Sequence, residues 1–254
     1  MLIRTVVAPV LGTNCYVVSD DVGRCVVVDP GAGVVDAVLE VITRHGLRPV
    51  GMLATHGHVD HTWSAAALGD ALGLPLHVHA ADAYRLADPF GTLGPLGAAL
   101  AQAMGAGGEV YRAPRTAVFD GGEAPSARLH LGTDPRDQLA LTALHAPGHT
   151  EGSTIYLLDG APGPGSELPD SVAPPVDVPD GSDEPSRTAL TGDVLFAGSI
   201  GRTDLPGGDT AAMNRTLRER VARIPPSTLV LPGHGPTSRI DVELARNPYL
   251  RAAR

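Results

Sequence analysis

Apolar and polar positions change rhythm repeatedly along the chain, and the rhythm predicts the elements. Residues 3–10, 14–18 and 24–29 are rich in Val and separated by Gly-Thr-Asn and Asp-Asp-Val-Gly, which are turn compositions, so the chain opens as an antiparallel meander. Residues 34–45 carry Val34, Val38, Leu39, Val41 and Ile42 at helical spacing, with Gly46 placed to end the helix. A strand at 50–55, a helix at 62–72, a strand at 76–78 and a short helix at 81–87 continue in β-α-β-α order. The second half uses the same vocabulary, with strands at 127–131, 139–145, 154–158 and 188–191, a helix at 210–223 and a strand at 228–231. Two ββα-like halves predict an α/β fold.

Two segments break the rhythm. Residues 88–108 are rich in Gly, Ala and Leu, contain Pro89 and Pro95 and show weak periodicity, which predicts a mobile surface connection and a candidate lid. Residues 160–186 hold seven prolines and several acidic residues but no basic one, too little apolar surface to order itself. That stretch reads as a disordered insertion within a single domain spanning 1–254. A domain boundary there would divide the candidate ligands described below.

Composition narrows the chemistry. All 19 basic residues are Arg, so lysine Schiff-base chemistry is excluded. The net charge of −9, with no dense basic patch, argues against nucleic acid as a partner. Cys15 and Cys25 lie in Val-rich strands and read as small buried hydrophobes, not as a disulfide framework. No run approaches the ~18 apolar residues needed to span a bilayer and no signal-like segment opens the chain, so no membrane partner and a cytoplasmic location are expected.

The strand at 50–55 ends in Thr55-His56-Gly57-His58-Val59-Asp60-His61, which places four ligand-type side chains within six residues. A tight turn here aims His56 and His58 at one ion and Asp60 and His61 at a neighbouring one. Imidazole and carboxylate donors without thiolate suit zinc, iron or manganese, zinc being the first expectation, and the motif leaves the ion's identity open. Three further segments each set a ligand-type residue beside glycine at a predicted strand end: Pro147-Gly148-His149, Gly192-Asp193, and Pro232-Gly233-His234-Gly235. A carboxylate such as Asp193 is able to bridge two ions.

This order of motifs, HxHxDH, GH, GD and PGHG, resembles the metallo-β-lactamase superfamily of hydrolases over essentially residues 2–248. The resemblance implies an αββα four-layer sandwich and two divalent metal ions. It assigns His56, His58 and His149 to the first ion, Asp60, His61 and His234 to the second, and Asp193 to both. Residues 195–208, which contain Gly201-Arg202-Thr203-Asp204, are similar to the compact bacterial type II glyoxalase-like thioesterases, as are Asn14-Cys15-Tyr16 and Asn247-Pro248-Tyr249. The implied reaction is hydrolysis of a small 2-hydroxyacyl thioester of a low-molecular-weight thiol by a metal-bound hydroxide, with Asp60 both ligand and orienter of the nucleophile. Such chemistry needs no strong general acid, because a thiol of pKa near about 8.5 leaves as thiolate. Arg202 is a candidate for holding a substrate carboxylate, its alternative being an ion pair with Asp204 or Asp209.

Rival reactions share these motifs. An iron-dependent persulfide dioxygenase has the same histidine cluster and a similar Gly-Arg-Thr-Asp segment, and a lactonase, a β-lactamase or a nuclease would use the same nucleophile. His77 and His79 form a second His-x-His, but they alternate on one strand face with no acidic partner at ligand spacing, so they are expected to be structural. Trp63 is expected to pack against the helix that follows it.

Overall fold

Two six-stranded sheets carry the chain in the computed structural model, which describes residues 1–105, 110–122, 124–169 and 184–253. The first sheet runs in the spatial order β1 (Leu2–Val7), β2 (Asn14–Ser19), β3 (Arg24–Val28), β4 (Arg48–Leu53), β5 (Leu76–His79), β6 (Thr116–Phe119). Its first three strands are the expected antiparallel meander, and β3 through β6 are parallel. The second sheet comprises β7 (Ser126–Leu131), β8 (Leu139–His145), β9 (Thr154–Asp159), β10 (Arg187–Gly192), β11 (Leu229–Pro232) and β12 (Ser238–Arg239), paired in sequence order with β10 and β11 parallel.

Alternation along each strand sorts the side chains into layers. Tyr16, Val18, Val26 and Val28 point between the sheets and meet Leu141, Ala143, Tyr156 and Leu190 from the other side. Their neighbours Cys15, Val17, Cys25 and Val27 point outward, against α1 (Val35–Arg44) and, beyond α2 (Val59–Thr62), α3 (Ala65–Leu72). Ile155, Ala189 and Val230 of the second sheet point outward onto the second helical layer. This is the αββα sandwich. The buried tyrosines satisfy their hydroxyls on the backbone, Tyr16 donating to the Pro232 carbonyl at 2.8 Å and Tyr156 to that of Ala54 at 2.7 Å. Both cysteines are buried and unbridged, and burial pushes the Cys25 thiol up to about 12.

The expected lid is a correction. Within 88–108, residues Gly91–Leu93 form a 3-10 turn and α4 (Pro95–Gly105) follows, while 106–109 lie outside the described residues. Leu93, Leu100 and Met104 dock against Val59 and Trp63. The periodicity was faint because the outer face of α4 carries Leu96, Ala98, Ala99 and Ala103 with Gln102 as its one polar residue, leaving little contrast to reveal the buried stripe. The helix expected at 62–72 is likewise two, since α2 already begins at Val59 within the histidine cluster.

Further helices close the second half: α5 (Thr210–Glu219), α6 (Ile240–Arg246) and α7 (Pro248–Ala252). Of the segment 160–186, residues 170–183 lie outside the described residues. Its first part lies along the exposed edge of β1: Glu167 N–H donates to the Ile3 carbonyl at 2.8 Å and Thr5 N–H to that of Glu167 at 3.0 Å. An otherwise unpaired strand edge is thereby covered. Among the described residues, no helix is long and apolar enough to cross a membrane.

Candidate metal centre

The segments that carry the predicted ligands leave the strands along one seam of the sandwich. His56 follows β4, His149 follows β8, Asp193 follows β10 and His234 follows β11, and the sheets are joined there by Thr154 N–H donating to the Thr55 carbonyl at 2.8 Å. Close approach needs glycine. A side chain at Gly192, whose φ is +48°, would meet Thr55 Oγ1 at 2.3 Å, and one at Gly233 would meet Asp193 Oδ1 at 2.4 Å.

All seven predicted ligands converge. His56 Nε2, His58 Nδ1 and His149 Nε2 lie 3.0, 3.0 and 3.2 Å from one another. Asp60, His61 and His234 form a second group, with His61 Nε2 and His234 Nε2 3.2 Å apart and Asp60 Oδ2 at 3.6 and 3.3 Å from them. Asp193 stands between the groups, Oδ1 at 3.4 Å from His61 Nε2 and Oδ2 at 3.6 Å from His149 Nε2. The short helix α2 separates the pairs: His58 is its N-cap, while Asp60 and His61 lie in its only turn.

The arrangement fits cations. His149 Nδ1 faces the Arg202 carbonyl at 2.8 Å, and His61 Nδ1 faces Asp29 Oδ2 at 3.0 Å. Both partners are acceptors, so each Nδ1 carries a proton and each ring turns its Nε2 inward, where a cation would take its lone pair. Three mutually close ring nitrogens cannot all be satisfied by bonding one another. They do match the spacing of about 3.3 Å expected for ligands on one tetrahedral ion with Zn–N near 2.0–2.1 Å. Asp193 Oδ1 is also buried without a hydrogen-bond partner, a costly position for a carboxylate oxygen in the absence of a cation.

His56 and His58 are shifted in the opposite direction from His61 and His234. Burial, reinforced by the neighbouring imidazoles, pushes His56 well down, and burial with His149 brings His58 down to about 3. For His61 and His234 burial also acts downward but is outweighed: Asp60, Asp193 and Asp29 hold His61 well up, and Asp60 with Asp193 raises His234. Burial would raise Asp60, yet His61 and His234 keep it below the usual carboxylate range.

Several supporting residues escaped the sequence reading. Asp29 adopts φ +53° at the end of β3, rare for a non-glycine residue, and accepts from Thr55 N–H at 2.7 Å and Thr55 Oγ1 at 2.8 Å besides facing His61. The Asp29-Pro30-Gly31 turn after an apolar strand was its available signal. Asn14 Nδ2 donates to the Pro232 and Gly235 carbonyls at 3.0 and 2.9 Å, which holds the His234 loop. Asp82, fully buried in the 3-10 helix Ala80–Leu86, accepts from Gly57 N–H at 2.8 Å, Thr150 Oγ1 at 2.7 Å and Gly152 N–H at 2.7 Å. From the same turn the buried Arg85 donates to Glu151 and, at 2.9 Å, to the Pro206 carbonyl. Three loops around the first histidine group are thus clasped together.

Arg202 contributes its carbonyl to His149, while its exposed guanidinium makes two bonds to Asp204 at 2.7 and 2.9 Å. His79 and His145 stack on each other at 4.0 Å, away from the centre, and Trp63 packs against Phe90 and Tyr111. Among the described residues, every converging group of metal-ligating side chains belongs to this one centre.

Comparison with known proteins agrees with the geometry. A family model described as the Metallo-beta-lactamase superfamily matches residues 8–161. An uncharacterized protein of Mycobacterium tuberculosis is 34% identical, with 98% of each chain covered. The "Probable metallo-hydrolase YqgX" of Bacillus subtilis is 30% identical over 97% of this chain and 96% of its own. The hydroxyacylglutathione hydrolase GloC of Haemophilus influenzae is 24% identical over 94% and 93%. Among solved structures, BLEG-1 B3 metallo-beta-lactamase superposes with a TM-score of 0.74 at 26% identity, covering 98% of this chain and 99% of that one. TTHA1623 in a di-iron-bound form gives 0.65 at 28%, covering 96% and 98%.

Proposed function

Because the chain belongs to the metallo-β-lactamase superfamily of hydrolases, we propose that it binds two divalent ions, zinc first among the candidates, and hydrolyses a small 2-hydroxyacyl thioester of a low-molecular-weight thiol. The observation that carries the reading is the pair of converging ligand groups spanned by Asp193. His56, His58 and His149 would hold one ion, and Asp60, His61 and His234 the other. Bound divalent ions supply a water-derived nucleophile at neutral pH and polarise the carbonyl under attack.

The chain's own residues do the rest. Arg202 and Asp29 fix the proton on Nδ1 of His149 and His61, so both rings stay oriented with Nε2 available. The side chains of His56, His61 and His149 are almost sealed, whereas that of His234 is 29% exposed and that of Asp60 18%, so substrate enters from the second group. Asp60 Oδ2, next to that opening and 3.5 Å from Thr13 Oγ1, orients the attacking water. The leaving thiol needs no acid. Arg202, exposed at the same loop, is the candidate partner for a substrate carboxylate.

Support for a thioester comes from the likeness to the Haemophilus influenzae hydroxyacylglutathione hydrolase, and from the 195–208 loop. A β-lactam carbonyl is the second reading, favoured by the 26% identity to BLEG-1 over nearly the whole chain. The test is elemental analysis of purified protein together with free-thiol release from lactoyl thioesters. Two ions per chain with thiol release supports the thioesterase. Cleavage of a β-lactam alone supports the second reading, and one iron per chain with consumption of molecular oxygen on addition of a persulfide overturns both.

A further inference from the structure

A cleft on the outer face of the second sheet takes no part in the hydrolytic centre. Its floor is apolar, built from Leu144, Leu157 and Ile224, and it encloses about 700 Å³. Leu144 and Leu157 pack with the outer helical layer, whereas their neighbours Ala143 and Tyr156 face the core between the sheets. The cleft therefore opens on the helix side, beside the C-terminal end of α5.

Its rim is cationic. Arg187, Arg218, Arg220 and Arg223 line it against a single carboxylate, Glu219, in a chain whose net charge is −9. Two of the four are compensated: Arg187 pairs with Asp159 at 2.8 Å and Arg218 with Glu219 at 2.9 Å. Among the described residues Arg220 and Arg223 have no ion-pair partner, and Arg220 Nη1 is buried without an acceptor. On the inner side Arg220 bears electrostatically on His79, the ring stacked on His145, as do the carboxylates of Asp82 and Asp120, and Glu219 bears on Arg220 itself. Arg223 is exposed and Arg220 partly so, and among the described residues neither guanidinium is neutralised by an ion pair, so the rim offers two uncompensated cations to an anion.

The shape and chemistry narrow the ligand. An open concavity of this volume falls in the range of about 300–1,000 Å³ typical for small molecules. Guanidinium forks match the oxygens of phosphate bidentately. The floor offers nothing polar, so the body behind the phosphate is apolar. We propose that this cleft is a binding site for a small organic phosphate monoester, its phosphate held by Arg220 and Arg223 and its apolar portion over Leu144 and Leu157. This site is independent of the hydrolytic reaction.

Calorimetric titration of the metal-loaded full chain with hexyl phosphate tests it. Saturable binding is expected, with inorganic phosphate weaker because it leaves the floor uncovered. Loss of one guanidinium fork in Arg223→Gln should weaken hexyl phosphate by about tenfold, and Arg220→Gln/Arg223→Gln should abolish it. Arg112→Gln, which removes an exposed Arg paired with Asp70 elsewhere, should change nothing. Arg223 is exposed, so its single variant keeps the test decisive even if the double variant is poorly folded. Absence of saturable binding, or binding unchanged in Arg223→Gln and the double variant, overturns the proposal; the latter result would place phosphate at the metal centre instead.

Discussion

The two ligand groups of the metal centre use the same residue types in opposite electrostatic settings. His56, His58 and His149 form an all-imidazole group, nearly closed to solvent, in which the rings of His56 and His149 hydrogen-bond to neutral oxygens, Thr55 beside His56 and the Arg202 carbonyl behind His149. The group of Asp60, His61 and His234 is backed by the carboxylates of Asp29 and Asp193 and opens toward solvent at His234. His56 and His58 are therefore poised to be proton-free, and His61 and His234 to attract protons as well as metal. In physical terms the first is a preformed anchor, and the second is an anionic, accessible half where substrate and water arrive.

Removing a ligand should break this comparison most severely. His58→Ala opens the anchor group, and the loss of hydrolysis should exceed the about 10–100-fold typical of removing a residue behind a ligand. Metal analysis should show the first ion lost. Retention of both ions would mean that the grouping is wrong.

Asp29→Asn should come next, lowering affinity for the second ion by about 10–100-fold while the first is kept. Asparagine tolerates the positive φ, so the variant isolates the lost charge behind His61 from backbone strain. Equal loss of both ions would show Asp29 to be a general support of the fold.

Asp82→Asn sharpens the contrast from the other side. Its buried carboxylate serves only loops around the first group, so the variant should weaken the first ion by about tenfold and lower Tm, consistent with about 1–3 kcal/mol for an upset buried acceptor. Competition with a chromophoric chelator would resolve the two affinities.

Acid should separate the groups without mutation. Protons compete for His61 and His234, whose pKa values are raised, at higher pH than for His56 and His58, which are depressed, so the second ion should leave first as pH falls. In the metal-free protein, the raised pair contributes stability that is present below the unfolded value of 6.5 and is lost as pH rises through their folded values. The depressed pair acts oppositely: the unfolded chain takes up protons first, so stability falls as pH drops from 6.5 toward about 3. Metal release followed against pH checks the order, and simultaneous release would contradict it.

Arg202→Ala should have the smallest effect. The carbonyl that holds His149 survives the change and the pair with Asp204 is exposed and screened by solvent, so metal content and kcat should stay unchanged. KM for an anionic thioester should rise a few-fold. An unchanged KM removes Arg202 from substrate binding.

Much of the fold was legible because strand alternation is local: the meander, α1 and the parallel strands follow from residues close in sequence. Strand β6 was missed because its four residues, Thr116–Phe119, carry too short a pattern, and they pair with β5 across forty residues. The terminal helices α6 and α7 were missed too. They are held by Glu243 and Asn247, the former accepting from Gly198 N–H at 2.9 Å and the latter donating to the Ser199 carbonyl at 3.0 Å, contacts that no local rhythm reveals. α4 was misread as a mobile connection because small residues blurred its amphipathic stripe.

From sequence alone came the seven ligand-type residues and the resemblance that divided them into two groups, because dense histidine and aspartate beside glycine have few structural uses. Tertiary structure alone decided how unlike the groups are. Asp29, Asp82 and the Arg202 carbonyl lie 26, 25 and 53 positions from Thr55, Gly57 and His149, to which they bond. Charge and hydrogen bonding act through space, so only the closed seam between the sheets could determine which histidines stay bare and which are set to bind a proton.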